Sequence, residues 1–347
     1  DAWTLPAVKL TVLWENGGKE IKRYEGSRPQ NTKYYFSEAL TYTYMKSSGR
    51  RFGYLHPSSI FGHAGNVFIP ERDTWKALAY ANSHLLTYLM LCQTPERHWE
   101  VGNVSKLPWP KALSETDQIT SAVERIAGAI LGTRQYNLTS PHYESPALLG
   151  GIEDGGLPES YKTHSLRQLE DSVRIPKGGE NLSAEESLEE LAVAHEQREA
   201  YLRQQMENSF IEIEQSIREA LGLSDGAQEE ILTEVSLRTN ENPQEYHEYD
   251  PESITGPSND FPEQVKDLVL HFALRATSES DDGIIPLSTI EGEDNLLTHV
   301  EAEFERVWGE QSDVRLAEVD DVLGSVSAAE EAYPNLRKWI EEDLFEY

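Results

Sequence analysis

The chain holds one cysteine and three methionines in 347 residues, and its 30 Lys and Arg are outnumbered by 61 Asp and Glu. A solitary Cys92 excludes an internal disulfide and a thiolate zinc site. Inside an apolar run, it reads as a small packed hydrophobe and not as a nucleophile. No stretch approaches the roughly 18 apolar residues of a membrane span. The longest apolar segment, residues 78–92, is interrupted by Asn82, Ser83 and His84. There is no secretory signal, so a cytoplasmic location and no membrane partner are expected. The sequence opens on Asp1 and not on a methionine, and is expected to be a piece of a longer protein. Catalytic signatures are missing as well. There is no Gly-rich phosphate cradle, no GxSxG elbow and no HExxH pair. His195-Glu196 lacks the second histidine, and the His247-containing run 246–250 reads as a solvated acidic loop, not as a metal site. His142 with Glu144 is no stronger. No catalytic, cofactor-binding or metal-ligating residue is assigned.

What is present is unevenly spread. Residues 1–112 carry 14 Lys/Arg against 9 Asp/Glu, and residues 113–347 carry 16 against 52. Acid-rich surfaces with few lysines suit a halophilic protein, which explains the acidic two thirds but not the exempt first third. A surface that meets phosphates must release their counterions and so avoids acidity. A nucleic-acid face on the first third fits that exemption.

The expected fold class is α+β: a small mixed α/β domain at 1–113, a helix plus irregular linker at 114–182, and a mainly helical acidic domain at 183–347. Residues 7–14 read as a strand, Asn16-Gly17-Gly18 as a turn and 19–24 as its return strand. Further short strands are expected in 34–44, 51–55, 59–61 and 66–69. Residues 71–93 have helical spacing with Asp73 as cap, and 99–109 alternate as an edge. A helix runs from about 116 to 131, and 132–182 has little core of its own. Ser183 with Glu186 forms a capping box for a helix to 221, which Gly222 stops. After a polar loop at 237–262, helices return at 263–276, 295–309, 313–323 and 335–346.

The candidate site is the stretch 28–70. Arg28, Gln30, Asn31 and Lys33 precede Tyr34, Tyr35 and Phe36, and Arg50-Arg51 follow a Ser-Ser-Gly turn. Arg and Asn/Gln form bidentate contacts to guanine and adenine edges, and paired arginines suit phosphates. The expected DNA-binding residues are Arg28, Gln30, Asn31, Lys33, Tyr35, Arg50 and Arg51. An ordinary polar loop and a solvated hairpin tip account for the same residues.

The runs Trp14-Glu15-Asn16-Gly17-Gly18-Lys19-Glu20-Ile21-Lys22, Arg28-Pro29-Gln30-Asn31 and Tyr34-Tyr35-Phe36-Ser37-Glu38-Ala39-Leu40-Thr41-Tyr42 resemble the specificity region of adenine-specific DNA methyltransferases. The PglX family of BREX phage-defence systems is the match. Ala81-Asn82-Ser83 and Leu107-Pro108-Trp109-Pro110 are similar to the recognition domains of adenine-methylating restriction-modification enzymes more widely. The similarity extends, more divergently, to Phe210-Ile211-Glu212-Ile213, Gly283-Ile284-Ile285-Pro286-Leu287 and Arg337-Lys338-Trp339-Ile340. It implies double-stranded DNA as partner, other defence proteins as further partners, and S-adenosyl-L-methionine held by a methyltransferase domain outside this chain. The family's Asn-Pro-Pro-Tyr motif is not here, because Asn242-Pro243 is followed by Gln244-Glu245. Two alternatives stay open: a non-enzymatic acidic helical adaptor that binds proteins, and the recognition half of a fused restriction endonuclease-methylase.

Overall fold

A computed structural model describes residues 4–6, 10–45, 51–62, 65–94, 98–152, 155–158, 169, 173–176, 185–239, 259–288, 290, 292–324 and 332–347. The fold is α+β, as expected: a small antiparallel sheet near the N-terminus and helices through the remainder. Its contacts divide into two compact units, neither continuous in sequence. Unit 1 comprises 1–131, 165–176 and 203–254; unit 2 comprises 132–164, 177–202 and 255–347. The boundaries expected at 113 and 182 fall inside these units and not between them.

Unit 1 is built on three strands, β1 (Ala39–Thr43), β2 (Phe52–Leu55) and β3 (Gly65–Phe68), in the order β2-β1-β3. Both pairings are antiparallel, with Tyr42 opposite Phe52 and Leu40 opposite Phe68. Strand alternation puts Leu40 and Tyr42 on the buried face, where the Tyr42 and Phe52 rings lie 5.0 Å apart. Upstream, the expected hairpin is corrected. Residues 10–14 form no strand, and Lys19–Arg23 is a short helix, α1. The turn itself is present: Asn16, Gly17 and Gly18 all have left-handed backbones. Lys19-Glu20-Ile21-Lys22-Arg23 then continues as a helix, with Glu20 in its first turn and Lys22 and Arg23 in its last, opposing the helix dipole. Residues 59–61 are likewise not a strand.

The helix expected at 71–93 is two, α2 (Thr74–Ala81) and α3 (His84–Gln93). Asp73 caps α2 by accepting the Lys76 N–H at 2.9 Å, as expected. Ser83 breaks the run because its hydroxyl caps α3, accepting from Leu86 N–H. Asn82 beside it braces the sheet: its Oδ1 accepts the Phe52 N–H at 3.0 Å and its amide donates to the Phe52 carbonyl at 2.8 Å. These bonds satisfy the edge of β2 from the side. Short helices α4 (Val101–Val104) and α5 (Lys111–Ser114) replace the expected edge, and lead into α6 (Asp117–Arg134).

The long helix α7 (Leu188–Leu221) contributes to both units, and α8 (Asp225–Arg238) follows it. Ser183 lies outside the described residues. The observed capping box is one turn later, where Ser187 Oγ accepts the Glu190 N–H and Glu190 Oε2 accepts the Ser187 N–H at 2.8 Å. Gly222 ends α7 with φ +62°, and Leu223 N–H reaches back to the Arg218 carbonyl. Leu91, Ile231 and Val235 join α3 to α8 within unit 1.

Unit 2 is organised by one large apolar cluster drawn from α9 (Phe261–Glu279), α10 (Leu296–Trp308), α11 (Ser312–Leu323) and α12 (Pro334–Lys338). Phe272, Phe304 and Trp308 pack ring against ring at 5.0–6.0 Å. Leu148 and Leu149 are almost fully buried in this cluster. The segment 132–182 was expected to have little core of its own; Leu148 and Leu149 from it pack into the cluster that the later helices build. Asp320 accepts the Asn335 and Leu336 N–H groups at 2.8 and 2.9 Å and so caps α12 from another helix.

Candidate nucleic-acid interface

The residues expected to meet DNA divide by depth. Arg28, Gln30, Asn31 and Lys33 are exposed; Tyr35 and Arg51 are buried; Arg50 lies outside the described residues. Arg51 is 5% exposed, and its guanidinium stacks on the Trp99 ring at 3.7 Å. It also donates to the Tyr44 carbonyl at 3.5 Å. Burial pushes the Tyr42 phenol up to about 12, and the nearby Arg51 charge opposes that rise. Arg51 thus ties β2 to the segment around Trp99 and does not face solvent phosphates. Tyr35 packs edge-on to Trp14 at 5.2 Å and to Phe61 at 4.9 Å, so its place is beneath the surface that was expected to hold it.

The four exposed residues stand on a turn fixed from below. Asn31 has φ +55°, a left-handed backbone that asparagine tolerates. It opens a single 3₁₀ turn, Thr32–Tyr34, closed by the Tyr34 N–H to the Asn31 carbonyl at 2.9 Å. The Asn31 side chain makes no capping bond. Among the described residues, the side chains of Arg28, Gln30 and Asn31 take part in no hydrogen bond or ion pair. Three side chains of the types that read base edges are therefore uncommitted. The Lys33 ammonium sits 4.6 Å from the Tyr34 ring.

Trp14 is the hub under this turn. Its ring lies over Gly18, where a Cβ would come within 2.6 Å of the indole. Gly18 thus serves both a positive φ of 74° and a close approach. Lys22 sits 5.5 Å from the same indole, and Phe36 meets it at 6.2 Å. Phe36 has φ +59°, an outlier for a bulky residue that costs on the order of 1–3 kcal/mol. It is held by its N–H to the Ser59 carbonyl at 3.1 Å. The sequence marked the Asn-Gly-Gly turn but gave no signal that Phe36 would be left-handed, since nothing in a Tyr-Tyr-Phe run asks for positive φ.

The basic character is local. Residues 19–33 carry Lys19, Lys22, Arg23, Arg28 and Lys33 against Glu20 and Glu25. Elsewhere in the first third, Lys76 is buried, donating to the Ser114 carbonyl at 3.1 Å beside Asp73 and Asp117. Arg72, Lys106 and Lys111 are exposed in other segments. Folding also brings the acidic 203–254 segment into unit 1, which totals 20 Lys/Arg against 27 Asp/Glu. The expectation of one basic face over residues 1–112 narrows to the 19–33 stretch.

Nothing described here fits S-adenosylmethionine. Among the described residues the sheet is wholly antiparallel, with no strand–Gly-rich turn–helix crossover of the kind that cradles such a cofactor. The cavity lined by Leu78, Ala79, Val123, Ile126, Phe210 and Ile213, with Thr4 and Asn82 as its polar residues, is narrow and mostly apolar. Among the described residues, no group of three or more His, Cys, Asp or Glu is placed to hold a metal, and no helix is long and apolar enough to cross a membrane. No protein-family model matches the chain, and no curated protein matches it.

Proposed function

We propose that unit 1 is the DNA target-recognition part of a site-specific adenine-N6 DNA methyltransferase of the phage-defence or restriction-modification kind, with S-adenosylmethionine and the catalytic motif carried by another domain. One observation carries this reading: Arg28, Gln30 and Asn31 are exposed, uncommitted to any described partner, and mounted on a hydrogen-bonded turn that leads directly into buried Tyr35, which packs on Trp14 and Phe61. Base readout needs short bidentate groups on a fixed frame. The resemblance around Trp14, Arg28–Asn31 and Tyr34–Tyr42 supports the same assignment. Arg28 and Lys33 supply charge for phosphates, and Gln30 and Asn31 supply amides for adenine edges. Unit 2, with 10 Lys/Arg against 34 Asp/Glu, is unsuited to phosphate contact over most of its surface and serves as a support or a dock for other proteins.

The test is binding of the whole chain to a labelled mixed-sequence duplex at rising salt. Binding is expected to weaken with salt, and Arg28→Ala and Lys33→Ala each to reduce the salt slope by about one counterion. A chain that binds no duplex at low salt contradicts the reading. The net acidity of both units favours a second reading, a protein-binding adaptor. Capture of a purified basic protein partner with no DNA binding at any salt is the outcome that selects it.

A further inference from the structure

We infer that Phe36 is an aromatic wedge that stacks on a base at an unstacked step of the bound duplex; this rests on the DNA-recognition reading of unit 1. Three observations meet at this residue. Its ring is 47% exposed although it sits among large aromatics. Its backbone is left-handed, a conformation that a phenylalanine adopts only when its surroundings impose it. Its neighbours alternate in depth: Tyr34 is 43% exposed, Tyr35 is 8% exposed, and Phe36 turns outward again.

An aromatic ring with no structural duty at an outward position is replaceable, and glycine would take the same backbone without strain. Among the described residues, the ring contact of Phe36 is an edge contact to Trp14 at 6.2 Å, while Tyr35 packs, buried, on Trp14 and Phe61. The fold therefore holds half a phenyl ring out to solvent at a cost to itself, which marks a group presented to a partner. The surroundings indicate which partner. Lys33 lies against the exposed Tyr34 ring, and Lys22 lies against the half-buried Trp14 ring that Phe36 also meets, so cations stand beside the rings next to Phe36. Rings beside cations suit nucleic acid, where phosphates take the charges and base π-faces take the rings. Apolar side chains that enter a base step unstack it, and so favour DNA in which the step is already loosened.

The experiment compares two probes with the whole chain: a mixed-sequence duplex, and the same duplex with a central mismatch. Wild type is expected to bind the mismatched probe about tenfold more tightly, because the unstacking cost is already met. Phe36→Gly should abolish that preference while leaving the melting temperature equal or higher, and Phe36→Tyr should keep it. Arg28→Ala should weaken both probes alike and leave their ratio unchanged. A mismatch preference that survives Phe36→Gly overturns the wedge, as does a wild type that binds both probes equally. A Phe36→Gly variant that loses its fold shows the ring to be structural and also overturns it. Failure of wild type to bind either probe removes the DNA reading itself. Loss of a purified protein partner, and not of DNA, on Phe36→Gly assigns the ring to a protein interface and rejects the wedge.

Discussion

Both units expose some large apolar side chains, but unit 1 concentrates them in one stretch of sequence and unit 2 scatters them. In unit 2, α9 to α12 converge on a single apolar cluster with Phe272, Phe304 and Val300 fully buried. In unit 1, the stretch from Leu10 to Met45 alone exposes Leu10, Val12, Leu13, Tyr24, Tyr34, Phe36, Tyr44 and Met45. Its interior depends on specific devices: Asn82 on the β2 edge, Arg51 on Trp99, Glu38 accepting from Tyr54 and Thr74. Exposed apolar and aromatic side chains gathered in one stretch are the kind of residue an interaction face uses. The contrast is one of placement: unit 2 gathers Phe272, Phe304 and Trp308 in one core cluster, while unit 1, beside its own buried rings, exposes Tyr24, Tyr34, Phe36 and Tyr44 along one short stretch.

The comparison is broken most directly in the core of unit 2. Phe272→Ala should cost about 3–5 kcal/mol, since it removes a fully buried ring at the centre of the cluster; denaturant unfolding monitored at Trp308 reads it. A loss below about 1 kcal/mol would mean that the cluster repacks freely and the contrast is overstated. In unit 1, the corresponding sensitive position is polar. Asn82→Ala leaves the Phe52 N–H and carbonyl without their partner, a loss of about 2–4 kcal/mol by thermal melting. Asn82→Asp should not restore it, because a carboxylate offers no donor to the carbonyl.

A smaller effect per pH unit lies in the buried histidines of unit 2. Burial holds the His271 imidazole down at about 3, between Tyr143 Oη at 2.9 Å and the Gly155 carbonyl at 2.9 Å. His195 is likewise held down at about 4, by burial and by Arg198. Below their ordinary value these histidines take a proton in the unfolded chain but not in the folded one. Stability therefore rises with pH from about 4 to 6.5, by up to about 1.4 kcal/mol per pH unit for each histidine. His271→Gln should flatten that slope in denaturation measured across this range. An unchanged slope would show that His271 titrates equally in both states.

Much of the fold was legible. Asp73 and Gly222 announce their caps, and the apolar spacing of α9 and α10 gives their positions, because local rules govern these features. The misreadings have specific causes. Residues 7–14 and 19–24 look like a hairpin; 7–9 lie outside the described residues, 10–14 form no strand, and left-handed Asn16, Gly17 and Gly18 lead into a helix, with Trp14 packed over Gly18. The break between α2 and α3 was hidden because Asn82 and Ser83 sit in a helical pattern while serving a strand edge and a cap. At the site, exposure of Arg28, Gln30, Asn31 and Lys33 followed from their polarity. The inward turn of Arg51 and Tyr35 did not, since both were read for their chemistry when aromatic neighbours distant in sequence hold them inside: Trp99 for Arg51, Trp14 and Phe61 for Tyr35. The charge split at residue 112 was real in sequence but dissolved in space, once acidic α8 packed on α3.

The central claim is that the 28–33 turn reads base sequence, and selection from a random-sequence duplex pool tests it. The whole chain should enrich one motif, and a variant combining Arg28→Ala, Gln30→Ala and Asn31→Gly should lose about 1–3 kcal/mol of discrimination at each contacted position while changing stability by no more than about 0.5 kcal/mol. Asn31→Gly keeps the left-handed backbone, so a loss of enrichment reports the side chain and not the turn. An identical motif enriched by wild type and variant, or no motif enriched by either, contradicts the account.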